Sequence, residues 1–464
     1  MKKDRGKQAQ RMTLMLDTPI PKLIPKMALP TIAAMLIGSV YSLTNTYFVS
    51  FLGTAATAAI GVSAAIDHTI LMAGSFLAVG SNSYIARLLG ERQPDKASRV
   101  LSTAFFSALI TGVLVMVPGL FFIEQIVRIF GATQSVIPYA VDYANYILMS
   151  APLVTASFVL NQCLRSEGSP VYAMVGMGAG GLLNIALTPL FIFTLGLGIK
   201  GAAIATLLSK AVGFCILIYP YVSKSSILRL SIKSVGLTGD IVREITLMGL
   251  PSLLRMGLSV IAGILINNAA GRHSDSALAA MSLVSRIMML PTAAILGFGQ
   301  GYMPVSGYNW GAKNYERVRQ AFKFSSIVAV GGTLVVSILI AVFSKNIISL
   351  FTEADAEMVW IGSFSLIAQS IVMPINAWVI IVNMFYASLG KPVGAIILGS
   401  TRQGICFLPL VFILPALFGI KGIACVQAGA DLLTLLIVIP FAVSIIKDVS
   451  RRSNNELQMP KSRS

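Results

Sequence analysis

Six ionisable side chains interrupt long apolar runs in this chain: Asp67 and Lys210 in the first half, and Arg255, Arg286, Arg402 and Asp431 in the second. An ionisable group at mid-depth in a bilayer costs at least ~2.5–3.5 kcal/mol, so it faces protein or water and marks an ion or solute path. Asp67 is the sharpest case. It sits beside His68 in "AAIDHTILM", and helical steps from it reach Ser63, Gly74, Ala78 and Ser81, a face suited to close packing or cavity lining. At ~1.5 Å per residue, Asp67 and Lys210 lie equally deep, which predicts that they pair. Three roles stay open. A locked pair is structural; if Lys210 swings away, the buried carboxylate takes a proton and Asp67 becomes a coupling site; in the third, Asp67 lines the cavity and contacts substrate. His68 points roughly 100° away from Asp67 and is read as a packing residue.

The second half holds three arginines against one aspartate. Arg255 follows Pro251 and is the cavity candidate there; its alternative is a pair with Asp431, leaving Arg286 and Arg402 to helix carbonyls or polar neighbours. Asp142 lies nearer a helix end and is read as favouring that N-terminus. The interior sum is positive, an awkward cavity for lipophilic cations, which prefer carboxylates and aromatic faces. Anionic or zwitterionic substrates are therefore part of the expectation. Met281, Met288, Met289 and Met303 suit either a promiscuous pocket or ordinary packing.

Other chemistries are missing. The chain has two histidines and four cysteines, without metal-ligand spacing, a Gly-rich phosphate loop, HExxH or a nucleophile–base constellation. The expectation is a protein that is not an enzyme, with no catalytic residue, metal or cofactor, whose cysteines only pack.

The elements that must position these groups are membrane spans. Of 464 residues, 56% are hydrophobic and 11% charged, against roughly 25% charged in soluble proteins. Spans of about 20 apolar residues recur throughout, at 23–50, 57–86, 94–121, 134–163, 168–194, 200–222, 241–270, 275–305, 316–343, 353–384, 392–415 and 419–447. Assigning alternate connections to one side places 26 basic residues there and five on the other. Basic loops stay in the cytoplasm, so both termini are cytoplasmic and the +17 charge reflects topology, not nucleic-acid binding. The polar first 22 residues carry no cleavable signal. "PVSGYNWGAKNYERVR" is read as a solvated loop leaving the eighth span.

A shift of 221 or 222 residues lays one half on the other. Leu29–Pro30 meets Leu250–Pro251, Gly80 and Gly90 meet Gly301 and Gly311, "GSP" at 168–170 meets "GKP" at 390–392, and "GIKG" at 198–201 recurs at 419–422. The implied fold is all-α integral membrane: twelve transmembrane helices in two six-helix bundles related by a pseudo-two-fold axis along the membrane normal. Residues 1–222 form the first lobe with its basic tail, 223–240 a cytoplasmic linker, 241–447 the second lobe, and 448–464 a cytoplasmic tail. Such transporters bind solute at the repeat interface.

The stretches "LPTIAAMLIGSVYSLTNTYFVSFLGTAATAAIGV", "GLLNIALTPLFIFTLGLGIKGAAIAT", "GLPSLLRMGLS" and "PVSGYNWGA" resemble the multidrug and toxic compound extrusion (MATE) family, in its bacterial DNA-damage-inducible and Mep-type branch. The resemblance implies an antiporter that expels amphipathic drugs or toxic metabolites in exchange for H+ or Na+, a monomer in the bacterial cytoplasmic membrane. An alternative within the superfamily is a flippase or exporter of a lipid-linked or anionic amphiphile. Relatives carry two coupling aspartates where this chain has Asn45 and Thr188, while the usual neighbours are retained as Tyr143, Asn184 and Thr206. Those five positions form a polar pocket that cannot titrate at Asn45 or Thr188, so Asp67 and Lys210 are expected to replace the lost carboxylates.

Overall fold

The computed structural model describes residues 11–236, 238–351 and 355–458; the basic stretch at 1–10, the expected span start at 353 and the tail from 459 lie outside them. Among the described residues the chain is helical. After a short helix α1 (11–17) come α2 (Ile20–Ser50), α3 (Thr54–Gly90), α4 (Pro94–Phe121), α5 (Ile123–Ile129), α6 (Ile137–Met149), α7 (Ala151–Ser166), α8 (Pro170–Pro189) and α9 (Gly198–Val222). The second half holds α10 (Gly239–Gly271), α11 (Asp275–Gly311), α12 (Tyr315–Ser349), α13 (Ala356–Ser388), α14 (Pro392–Ser400) and α15 (Phe407–Gln458). Proline in the first turn opens α4, α6, α7, α8 and α14, where its missing N–H is no loss and its fixed φ suits the helix.

Ten of the described helical stretches are long and apolar enough to cross a membrane, or eleven when α6 and α7, bent by 47°, count as one. The expected span 134–163 is therefore broken at Ser150. Apolar side chains such as Val335, Leu339 and Val342 on α12 stay exposed, as a lipid-facing surface requires.

The repeat is visible in backbone geometry. Gly198 and Gly419, which open the two "GIKG" motifs, hold φ of 56° and 54°, a left-handed conformation that costs glycine nothing. At Gly419 this interrupts α15 with non-helical geometry. Gly168 and Gly390 likewise match at 76° and 71°, and Arg92 and Lys313 at 59° and 60°.

Across the repeat, α3 packs on α10, α2 on α11, and α3 on α11. These seams lie in the half of the spans nearer the basic loops. A Cβ added to Gly80 would come within 3.0 Å of the Ile245 backbone, on Gly90 of Tyr308, on Gly249 of Phe76, on Gly301 of Ala28, and on Gly311 of Arg87. The Gly90–Tyr308 and Arg87–Gly311 contacts are images of one another, since each residue is 221 positions from its counterpart. The repeat glycines Gly80, Gly90, Gly301 and Gly311, with Gly249 and Gly297, are thus places where the two halves touch backbone to backbone. The same contact corrects the expectation of a loop after residue 305: α11 continues to Gly311, with Pro304 to Asn309 buried, because Gly307 and Gly311 let this turn lie against Ala86 and Arg87.

The segment before α2 crosses the same end of the molecule. Arg11 Nη1 donates to Glu167 Oε2 at 3.1 Å, whereas the Met15 carbonyl accepts from Asn309 Nδ2 at 3.2 Å and the Thr18 carbonyl from Arg317 Nη2 at 2.6 Å. Met15 is fully buried. One short helix is therefore fastened to both halves.

Candidate functional site

In the first half, five helices bring the sequence-predicted residues together. Lys210 on α9 donates to Asp67 Oδ1 on α3 at 2.7 Å. Neither is fully buried: their side chains are 18% and 32% exposed. One turn before Lys210, Thr206 accepts from Asn184 Nδ2 at 3.1 Å, and Thr188 donates to Asn184 Oδ1 at 3.0 Å. Asn45 Nδ2 donates to the Tyr143 hydroxyl at 2.8 Å. Tyr41 lies within electrostatic reach of Asp67, and Tyr143 of Lys210. The polar shell around Asn45 and Thr188 thus adjoins the ion pair. It is incompletely satisfied, because Asn45 Oδ1, Ser63 Oγ and Ser209 Oγ are buried without hydrogen-bond partners.

Three single-residue expectations are corrected here. His68 is exposed, not packed, because its position turns it off the buried face of α3. Asp142 lies more than a turn inside α6, which starts at Ile137, and meets Lys200 at 3.3 Å; a lysine on the neighbouring helix outcompetes the helix end. Cys163 and Cys406 are buried as expected, but Cys215 is exposed.

The second half is organised differently. Arg402 grips Asp431 with both arms of its guanidinium, Nε to Oδ1 at 2.5 Å and Nη2 to Oδ2 at 3.1 Å. The alternative pairing of Arg255 with Asp431 is therefore excluded by geometry: the π-helical segment Thr401–Cys406 places Arg402 against α15. Arg286 is exposed, and neither it nor Arg255 makes an ion pair with a described residue.

Arg402 and Asp431 line a cavity of 590 Å³ between the two halves. Its apolar wall includes Met35, Met177, Met281, Met288, Met289 and Met373, flexible and polarizable side chains that adapt to varied shapes. Met303, by contrast, packs in the core. Gln369, Asn376, Gln403 and Gln427 add four carboxamides to the wall. On α10 the lining stripe is Ser259, Ala262, Gly263 and Ile266, and Arg255 stands one turn below it.

Sequence reasoning missed the carboxamides, which carry no charge to flag them. It also missed Arg165, assigned by its charge to a loop. The structure puts Arg165 in the last turn of α7 with 1% exposure. Its guanidinium donates to Gln300 across the seam and to Met177 Sδ at 3.9 Å, while Nε has no partner. No motif marks such a residue; only the burial reveals it. No cluster of metal-ligating side chains exists among the described residues.

A polytopic helical protein built from two matched halves, with a mixed polar and methionine-lined cavity between them, is a membrane transporter in its architecture. The chain belongs to the MatE family, whose profile matches residues 30–190 and again 251–413. It is 29% identical over 397 residues to the multidrug export protein MepA of Staphylococcus saprophyticus, covering 85% of this chain and 87% of that one. It is likewise 29% identical over 410 residues to MepA of Staphylococcus haemolyticus, covering 88% and 90%. Among solved structures, an outward-facing multidrug resistance MATE family transporter of the MOP superfamily superposes with a TM-score of 0.88 at 25% identity, over 95% of this chain and 98% of that one.

Proposed function

We propose that the protein exports amphipathic small molecules across a bacterial cytoplasmic membrane by cation-coupled antiport and alternating access, as a monomer with both termini inside. In this reading α6 and α7 form one bent span and α15 divides at Gly419, giving twelve spans. They make two six-helix lobes, 1–222 and 241–447, joined by the linker 223–240 and related by an axis along the membrane normal. The observation that carries the reading is the 590 Å³ cavity between the halves, closed off from the basic face by the glycine seam. At its glycines the seam sets backbone against backbone, contacts that can part and re-form without unlocking side chains. The similarity to an outward-facing transporter supports assigning this structure to the outward-facing state, and the curated relatives named for multidrug export support the direction of transport.

Coupling is assigned to Asp67 and Lys210, with Asn45, Tyr143, Asn184, Thr188 and Thr206 as the surrounding polar shell. Of these seven, only Asp67 and Lys210 can change charge readily, and their contact spans α3 and α9. Movement between those helices would separate them and let a proton, or a sodium ion, take the place of the ammonium beside the carboxylate. The test is solute flux in proteoliposomes under separate proton and sodium gradients, comparing wild type with Asp67→Asn. Loss of gradient-driven flux in the variant is expected; unchanged coupling would remove Asp67 from the mechanism.

A further inference from the structure

Taking the export reading as its basis, we propose that the cavity selects amphiphiles carrying an anionic group, and that Arg255 together with Arg402 holds that group at the cavity floor.

Charge accounting around the cavity comes first. Asp431 is the one carboxylate among the lining residues, and Arg402 already occupies both of its oxygens. Arg255 stands four residues before Ser259 on the lining stripe of α10 and has no hydrogen bond or ion pair with any described residue. Its electrostatic neighbour is Arg402, a like charge. Two guanidiniums thus stand against one carboxylate, which Arg402 takes whole, and the unneutralised one lies where the lining stripe of α10 leads. On the facing wall, beneath Met177, the buried Arg165 is bonded only to neutral partners. Asp67 does not redress this balance, because Lys210 neutralises it in the first half.

The neutral groups add one open donor, Gln427 Nε2, beside two open acceptors. Asn376 Oδ1, Gln403 Oε1 and Gln427 Nε2 are buried, lack partners, and belong to residues that line the cavity. Buried polar atoms are nearly always hydrogen-bonded, so these three are open places for a ligand's polar atoms. A group with several acceptor oxygens (a carboxylate, sulfonate or phosphate) matches the guanidiniums and the carboxamide N–H together, with the bidentate geometry that arginine favours. The methionine wall then takes the apolar body without demanding one shape. A lipophilic cation finds no free carboxylate here, and meets Arg255 instead.

Fluorescein and rhodamine 123 share a xanthene core and differ in charge, so they isolate the headgroup term. Binding is measured by fluorescence anisotropy on the full-length protein in nanodiscs of zwitterionic lipid. Wild type is expected to bind fluorescein more tightly than rhodamine 123. Arg255→Gln should weaken fluorescein by about tenfold or more, the scale of one charge-assisted hydrogen bond, and leave rhodamine 123 unchanged or tighter. Arg255→Lys should keep most of the fluorescein affinity. Should the glutamine variant fail to fold, raising potassium chloride severalfold on wild type serves instead: fluorescein binding should fall and rhodamine binding hold. Tighter binding of rhodamine 123, equal weakening of both dyes in Arg255→Gln, or no binding of either dye overturns the proposal. Failure of the export reading looks different: the binding asymmetry persists, but neither dye crosses proteoliposome membranes under any gradient.

Discussion

In the alternating-access cycle proposed above, adding a methyl group at the seam should drive the protein toward an inward-facing state. At Gly90 and Gly311 a new Cβ would fall within 3.0 Å of the Tyr308 and Arg87 backbones, roughly an ångström or more inside van der Waals contact. Backbone cannot rotate away as a side-chain tip can, so the two halves must separate locally. Overpacking of this kind costs typically ~1–3 kcal/mol. In that cycle the cost applies only while the seam is shut, because the contact disappears when the halves part. Gly90→Ala or Gly311→Ala should therefore shift the outward-to-inward ratio by about 5- to 150-fold, and the double variant further still.

The readout is the distance between spin labels at Arg99 and Lys323, both exposed at the basic end of α4 and α12, in a background lacking the four cysteines. Wild type should give one short distance and the variants a growing longer population. Gly331→Ala is the control, because nothing lies within 4 Å of a Cβ there. If the seam variants fold with wild-type thermal stability and keep the wild-type distance, the seam is not the gate. Unfolding without a longer distance would show that the contact holds the fold and not the state.

Two further variants probe the buried charges. Arg402→Gln strips the partner from Asp431, whose side chain is 4% exposed; a loss of about 3–5 kcal/mol is expected, read by thermal or denaturant unfolding, and Arg402→Gln with Asp431→Asn should recover most of it. Glu167, in the connection after α7, accepts from Ser226 Oγ, Arg11 and the Ile227 amide, yet burial outweighs these partners and pushes its carboxyl above the ordinary range. Stability should then fall as pH rises from the unfolded to the folded pKa of Glu167; Glu167→Gln should remove this slope, and Arg11→Ala should steepen it.

What could be read from the sequence followed the physics of each signal. Span positions were legible because a bilayer demands long apolar runs, and the offset of 221 residues anticipated both family matches, which start at 30 and 251. Turn glycines were legible as repeats, although their role at the seam was not, since spacing cannot tell which helix a glycine faces. The Asp67–Lys210 contact followed from depth alone. The sequence pointed to Arg255 as the partner of Asp431 and left Arg402 to carbonyls or polar neighbours, because the π-helical segment that aims Arg402 at Asp431 has no charge or spacing signature. Carboxamides such as Gln403 and Gln427 escaped notice for the same reason that makes them useful in a cavity: they hydrogen-bond without a charge.

The repeat also separates what the halves share from what they do. Lys210 and Asp431 stand 221 residues apart, at equivalent positions in α9 and in α15 after Gly419. One is a cation, the other an anion. Each is tied into its own half, but to different places: Lys210 to Asp67 on α3, and Asp431 to Arg402 beside α14. Backbone geometry is conserved between the halves to within a few degrees at the turn glycines, so the inversion of charge is not a consequence of divergent folding. In the proposed cycle the backbone symmetry would serve the motion, because a seam made of repeat-related contacts can open and close as one unit. The chemistry is free to differ, and does. The first half presents a partly exposed lysine–aspartate pair between α3 and α9, whereas the second presents an arginine that cannot be deprotonated and a cavity wall of methionines and carboxamides. A pair that bridges two helices suits coupling and a permanently charged group in a cavity wall suits binding, which is why the two tasks are assigned here to opposite halves.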